Sequence, residues 1–259
     1  MITSSQNPKL KLVRSLMGRP KERREANAFV VEGVRLIEEA VTAGWKFQFV
    51  LYSDGLSERG QDLLKVLFAN RIDAEEVAGD LLQKLSDTET PQGILAVVEL
   101  SNLPISDSLN FILIPDQIRD PGNLGTLLRT AAATGVQAVL LPPETTDVFA
   151  PKVVRAGMGA HFRLPIREMT WEEIRQICKS ASLQLYIADM HGRSCWESDL
   201  RKSLALIVGN EAEGASKQAR ALTHERICLP MNGQVESLNA GVAGSVLMFE
   251  VVRQRGCKT

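Results

Sequence analysis

The chain has 259 residues, 44% of them apolar and 24% charged, with a net charge of −1. These are globular values, and the length suits one large domain or two ordinary ones, either with a real core. The absence of any apolar run near the roughly 20 residues of a span excludes a helical membrane protein. The N-terminus lacks the apolar core of a signal peptide. Cys178, Cys195, Cys228 and Cys257 have no CxxC spacing, and only three histidines accompany them. A zinc site or disulfide framework is therefore not expected, and a reducing cytoplasm is.

In chain order, residues 9–24 hold Lys9, Lys11, Arg14, Arg19, Lys21, Arg23 and Arg24 against Glu22 alone, a local charge of +6. Such a stretch reads equally as a nucleic-acid footprint and as a solvated helix face. A strand follows at 29–32, and Gly33 leads into a helix at 34–43 with Gly44 at its stop. Residues 47–52 read as a strand, 63–69 and 78–85 as helices, and 94–98 as a strand. This alternation predicts a small α/β unit. Near Ser101-Asn102-Leu103-Pro104 the pattern lapses into polar and breaker residues. The expected domains are therefore 1–104 and 105–259.

The second part alternates more strictly. Strands read at 111–115, 137–141, 184–188, 204–208 and 226–229, and helices at 124–134, 150–157, 171–181, 216–222 and 238–254. This is the pattern of an α/β fold with a mostly parallel sheet and helices on both faces. In such sheets ligands sit beyond the carboxyl ends of the strands. Three polar, glycine-marked loops fall there: 120–125, 209–214, and 230–233 with Ser237, Leu238 and Asn239. Together they suggest one composite site.

The first loop enters a helix whose apolar positions Leu124, Leu127, Leu128 and Ala131 share a face. Gly122, Gly125 and Arg129, at i, i+3 and i+7, follow one side of a helix begun near Asn123. There a backbone or ligand can approach a guanidinium. Arg129 reads either as a functional cation or as half of a structural ion pair, and Asn123 either as the N-cap or as a reactive-site amide. The second loop matches G-x-x-x-x-G-x-S, but Ala215 stands where a phosphate-binding loop needs lysine, and Glu211 and Glu213 would repel phosphates. No G-x-G-x-x-G fingerprint occurs in any of the three loops. What remains is a flexible loop with a carboxylate, Glu211, suited to a neutral or cationic ligand, and with Glu213 as a solvent-facing turn residue. The third loop leads into a helix with Ala240, Gly241, Ala243, Gly244 and Ser245. Each glycine costs about 1 kcal/mol in a helix interior, so a cofactor, a neighbouring segment or a second subunit must come close. Ser237 reads as N-cap or chemistry, and Asn239 as a first-turn donor.

Asp-Pro-Gly-Asn-Leu-Gly-Thr-Leu-Leu-Arg-Thr-Ala (120–131), Ile-Val-Gly-Asn-Glu-Ala-Glu-Gly (207–214) and Leu-Pro-Met-Asn-Gly-Gln-Val-Glu-Ser-Leu-Asn-Ala-Gly-Val-Ala (229–243) resemble, in order and spacing, the three motifs of the SpoU/TrmH branch of the SPOUT RNA methyltransferases. The likeness covers about 108–255. Residues 29–40 are similar to the start of that family's small substrate-binding domain. The resemblance implies a deep trefoil knot, bound S-adenosyl-L-methionine, and a homodimer whose active site draws on both subunits. By motif position, Gly209, Leu229 and Leu238 would line the cofactor pocket. Asn210, Gly214 and Met231 belong to the same loops, and a loop at Met190-His191-Gly192 would close over it. Arg129 matches the catalytic arginine, and Asn123, Glu211, Ser237 and Asn239 match the remaining motif positions.

The implied reaction, methyl transfer to a ribose 2′-oxygen, needs alignment and help in removing a proton, and no metal. Arginine is a poor base, so stabilising a developing alkoxide is its natural task. The substrate implied is RNA, with ribosomal RNA favoured over transfer RNA by the separate N-terminal domain. The rivals are an RNA-binding protein of this fold without catalysis, and a nucleotide-dependent dehydrogenase or hydrolase, against which the missing fingerprints argue.

Overall fold

The computed structural model describes residues 1–86, 88, 90–233 and 237–256; Cys257 and residues 234–236 of the third motif lie outside them. By its contacts the chain divides into two compact units. One is Met1–Ser101 with Phe149–Phe162, the other Asn102–Val148 with Arg163–Thr259. In chain order the first stretch runs α1 (Pro8–Gly18), α2 (Pro20–Ala26), β1 (Ala28–Glu32), α3 (Val34–Thr42), β2 (Phe47–Tyr52), α4 (Glu58–Ala69), β3 (Ala74–Glu76), α5 (Gly79–Gln83) and β4 (Ile94–Glu99). Then follow β5 (Phe111–Pro115), α6 (Pro121–Ala133), β6 (Ala138–Leu141), α7 (Pro151–Gly157), β7 (Ile166–Glu168) and α8 (Trp171–Ser180). The chain ends with β8 (Gln184–Ser194), β9 (Leu204–Val208), α9 (Lys217–Leu222), β10 (Glu225–Cys228) and α10 (Ala240–Arg255).

The first unit has a four-stranded sheet in the order β1-β4-β2-β3. β4 runs antiparallel to β1 and β2, while β3 runs parallel to β2. Proline opens both α1 and α2, where its missing N–H costs nothing. Helix α4 begins five residues earlier than its apolar pattern indicates, because Ser57 caps it by accepting from the Gly60 N–H at 3.3 Å. Strand β3 carries two glutamates and shows no apolar alternation, so only its pairing reveals it.

Helix α7 corrects the expected organisation. The pattern grouped 150–157 with the second part, yet this segment packs in the first unit. The cause is aromatic: the Phe29 ring lies 4.9 Å from Phe149 and 5.9 Å from Trp45, and Trp45 lies 5.2 Å from Phe162. Arg155 adds an ion pair with Glu32 at 3.6 Å.

In the second unit six strands lie in the order β10-β8-β9-β5-β6-β7, every neighbouring pair parallel. β5, β6 and β9 are buried along their whole length, which is why they read as unbroken apolar runs. On one face Ile112, Ile114, Ala205 and Ile207 pack with Ile174 and Cys178 of α8 and Ala219 of α9. α6 contacts β5, and α10 contacts β8, β9 and, most extensively, α6. The two glycines of α10 explain that contact. A side chain at Gly244 would run into Leu127 and Val208, and one at Gly241 would meet Asn123 and Thr126. The close neighbour that the glycines admit is therefore α6, and Thr130 and Ser245 join their hydroxyls across it at 2.8 Å.

Candidate active site

The three motif loops converge at the carboxyl ends of β5, β9 and β10. Asp120, not Asn123, caps α6, with its Oδ1 accepting from the Asn123 N–H at 2.8 Å. Capping is thus done elsewhere and the Asn123 side chain is released. Its Nδ2 donates to Glu211 Oε1, and its Oδ1 accepts from Asn239 Nδ2 at 2.8 Å. In the third loop the cap also moves, here two residues towards the C-terminus rather than three towards the N-terminus. Asn239, not Ser237, caps α10 by accepting from the Val242 N–H at 3.1 Å. One amide therefore starts a helix and closes a three-residue polar chain, Glu211–Asn123–Asn239.

The second loop is tied down rather than flexible. Asn210 and Gly214 exchange backbone hydrogen bonds at 3.1 and 2.9 Å. Asn210 Oδ1 also accepts from the Ala212 N–H at 2.8 Å, and its Nδ2 donates to the Gln117 carbonyl at 3.0 Å. The two glycines serve different needs. A Cβ on Gly209 would collide with the backbone of Gly214 and Ala215, whereas Gly214 takes a φ of +69° that side chains resist. Glu211 and Glu213 are both exposed on this loop.

Behind the loop sits Asp116, fully buried at the end of β5. Its Oδ2 accepts from the Ser216 N–H at 2.6 Å, and Ser216 in turn caps α9. Burial pushes the Asp116 carboxyl up from the usual range, and Glu144 adds to the shift. Its Oδ1 has no partner among the described residues. Sequence reasoning passed over Asp116 because it looks like the polar end of an apolar strand.

A cavity of about 310 Å³ lies among these loops. Gly209, Asn210, Glu211 and Gly214 form one part of its wall, and Leu229, Met231, Ser237 and Leu238 another. Met190 belongs to it as well, but not on a loop after a strand. It sits in β8, where Ile187 pairs with Arg226 and Arg193 with Ile227, so 188–192 arch out as a bulge. Gly192 is needed there because a Cβ would strike the Arg226 backbone. Asn123 and Asn239 are outside the wall and connect to it through Glu211. Arg129 stands exposed on α6, roughly 9 Å along the axis from Asn123. It makes no ion pair among the described residues, so the structural reading of this residue finds no partner, and it is not part of the wall.

Two charged residues of the wall carry no motif signal. Arg220 on α9 donates through Nε to the Ala215 carbonyl at 3.0 Å, and its Nη1 lies 3.8 Å from Asp189 Oδ2. Asp189 is also 3.7 Å from Arg226 Nη1.

The wall fits S-adenosyl-L-methionine. Val208, Leu229, Leu238 and Leu247 offer apolar contact to a purine, the folded 209–214 backbone offers donors and acceptors, and Asp189, Glu211 and Glu213 suit a cationic sulfonium. The size lies at the lower end of small-molecule sites, about 300–1,000 Å³.

Comparison with known proteins agrees with this geometry. Residues 110–249 match the SpoU rRNA Methylase family, and residues 7–96 match the MRM3-like substrate binding domain. The chain is 32% identical to the 23S rRNA (guanosine(2553)-2′-O)-methyltransferase RlmP of Bacillus subtilis, over 96% of this chain and 98% of that one. It is also 32% identical to the 23S rRNA (uridine(2479)-2′-O)-methyltransferase of Streptomyces viridochromogenes, over 97% of this chain and 92% of that one. The crystal structure of the SpoU methyltransferase AviRb from Streptomyces viridochromogenes, in complex with AdoMet, superposes with a TM-score of 0.87 at 31% identity, covering 96% of this chain and 98% of that one. On the motif loops, the sheet that carries them and these likenesses, the chain belongs to the SpoU rRNA methylase family.

Proposed function

We propose that the protein methylates a ribose 2′-hydroxyl of ribosomal RNA, with S-adenosyl-L-methionine as donor. The observation that carries this reading is the Glu211–Asn123–Asn239 chain, which links all three motif loops beside a cavity of suitable size and chemistry. Ribosomal rather than transfer RNA is favoured because relatives named for it match through both units.

When bound, the cofactor supplies a methyl on a sulfonium, already joined to a good leaving group. The chain then has to hold the ribose in line and manage the hydroxyl proton. Asn123, Glu211, Ser237 and Asn239 position ribose and cofactor, and Arg129 stabilises the developing alkoxide. Arg129 lies outside the cavity of its own chain, which supports a site completed by a second copy. Val242, Val246 and Phe249 support the same reading. They recur at i, i+4 and i+7 on α10, are exposed on the side away from its glycines, and leave Phe249 54% exposed. The family's knot belongs to this reading, as do a substrate-binding domain at 1–104, joined by 149–162, and a methyltransferase domain over the rest of 105–259. The free thiols of Cys178, Cys195 and Cys228 support a reducing cytoplasm.

The test is transfer of labelled methyl from the cofactor to unmodified ribosomal RNA and, separately, to unmodified transfer RNA, followed by alkaline hydrolysis. Label in an alkali-resistant dinucleotide from the ribosomal pool is the expected result. Label in a base would overturn the ribose assignment, and label from the transfer RNA pool alone would overturn the substrate.

A further inference from the structure

The cavity wall has an uneven charge. Asp189, Glu211 and Glu213 contribute carboxylates, while Arg220 is the one lysine or arginine among its described residues. That guanidinium is held in place rather than free to wander. Its Nε donates to the Ala215 carbonyl at 3.0 Å, and Nη1 stands 3.8 Å from Asp189 Oδ2. Asp189 is itself fixed: its side chain is 10% exposed and accepts from the His191 N–H at 3.0 Å. Gly214 completes the arrangement. A Cβ there would stand 3.2 Å from Arg220 Nη2, so the missing side chain lets the guanidinium lie against the loop. Among the described residues Nη2 has no hydrogen-bond acceptor.

The methyltransferase reading puts a ligand with three charged groups into this cavity: a sulfonium, an ammonium and one carboxylate. The wall's carboxylates suit the first two. The third needs a cation, and a planar guanidinium takes a carboxylate through two parallel hydrogen bonds. We propose that Arg220 anchors the cofactor's carboxylate and so makes the site prefer the complete amino-acid-bearing nucleoside to its decarboxylated counterpart. This rests on the methyltransferase reading.

The experiment is calorimetric titration of the RNA-free protein with S-adenosylmethionine and with decarboxylated S-adenosylmethionine, which keeps the sulfonium and the amine. Wild type, Arg220→Gln and Arg220→Lys are compared. Arg220→Gln is expected to weaken S-adenosylmethionine about tenfold, the effect of one partly solvated charge-assisted contact. It leaves the decarboxylated ligand within about twofold, and Arg220→Lys falls between. Equal weakening of both ligands would mean that Arg220 serves the loop or the nucleoside, and the anchor is then wrong. No change in either ligand overturns it too. Failure of wild type to bind either ligand is a separate result, and it removes the methyltransferase reading on which the anchor depends.

Discussion

The basic helices α1 and α2 and the Glu211–Asn123–Asn239 chain use polar residues in opposite ways. Lys11, Arg14, Lys21 and Arg24 on the helices and Arg19 between them are exposed, and Lys21 lies 3.6 Å from Glu25. The other two basic residues of that run are absorbed by the fold. Lys9 sits between Asp73 at 2.6 Å and Glu75 at 3.1 Å, and buried Arg23 donates to the Leu16 carbonyl. In the site chain, by contrast, three side chains from distant loops satisfy one another. Dispersed surface charges act separately and are screened by salt. A bonded cluster acts as a unit, and its members cannot be valued one at a time.

The largest effect belongs to the site. Arg129→Ala is expected to lower kcat by about 10²–10³, the usual loss when a donor to a developing oxyanion is removed. The thermal unfolding midpoint should stay close to wild type, because the guanidinium is exposed. Near wild-type turnover with an intact fold would remove Arg129 from the chemistry.

Gly209→Ala comes next. The added methyl meets backbone, which cannot swing aside, so about 1–3 kcal/mol of stability should be lost in urea unfolding. Unchanged stability would show that the 209–214 loop yields, and that its hydrogen bonds do not hold it as described.

These two positions also show what was legible in the chain. Arg129 and the glycines stood out because Gly122, Gly125 and Arg129 share one side of a helix and the three loops resemble the family's motifs in order and spacing. β5 and β9 stood out because a buried parallel strand must be apolar on both faces. What could not be read was set by tertiary contact. Nothing local says that Phe149 and Phe162 pack with Phe29 and Trp45, so the place of α7 was missed. β7 is three residues of a partly exposed edge. Asn123 and Ser237 looked like caps because amides and hydroxyls are good caps anywhere. That Asp120 and Asn239 take those roles depends on where each helix begins. Arg220 and Asp189 meet only because β8 bulges, and no motif marks either residue.

A smaller effect separates site architecture from surface charge by pH. Burial disfavours the Asp116 carboxylate, so the folded chain keeps that proton to a higher pH than the unfolded chain does. The favourable contribution is complete below the ordinary value of about 3.9 and is lost as pH rises through the raised one. Asp116→Asn keeps the acceptor for the Ser216 N–H and cannot ionise. Relative to this variant, wild type should lose stability as pH rises from about 4 towards neutrality. Urea unfolding across that range checks the sign, and parallel curves would contradict it.

The smallest effects are expected on the helices. Neutralising Lys11, Arg14 or Lys21 singly should weaken RNA binding modestly and reduce the slope of log K against log salt by about 0.7–0.9 each. Lys9→Gln should leave that slope alone and lower stability instead, because its charge is already matched by Asp73 and Glu75. Filter binding over a salt series and a urea melt distinguish the two. Equal slopes for all four variants would take the exposed cations out of RNA docking.

That the three motif loops work as one unit is tested most directly by a double-mutant cycle on Asn123 and Glu211. Asn123→Ala, Glu211→Ala and the double variant are compared in kcat/KM for methyl transfer. Because Asn123 Nδ2 donates to Glu211 Oε1, the second substitution should cost far less once the first is in place, a coupling of at least about 1 kcal/mol. Losses that add to within about 0.3–0.5 kcal/mol would show that the two residues act separately, and the single composite site would then be wrong.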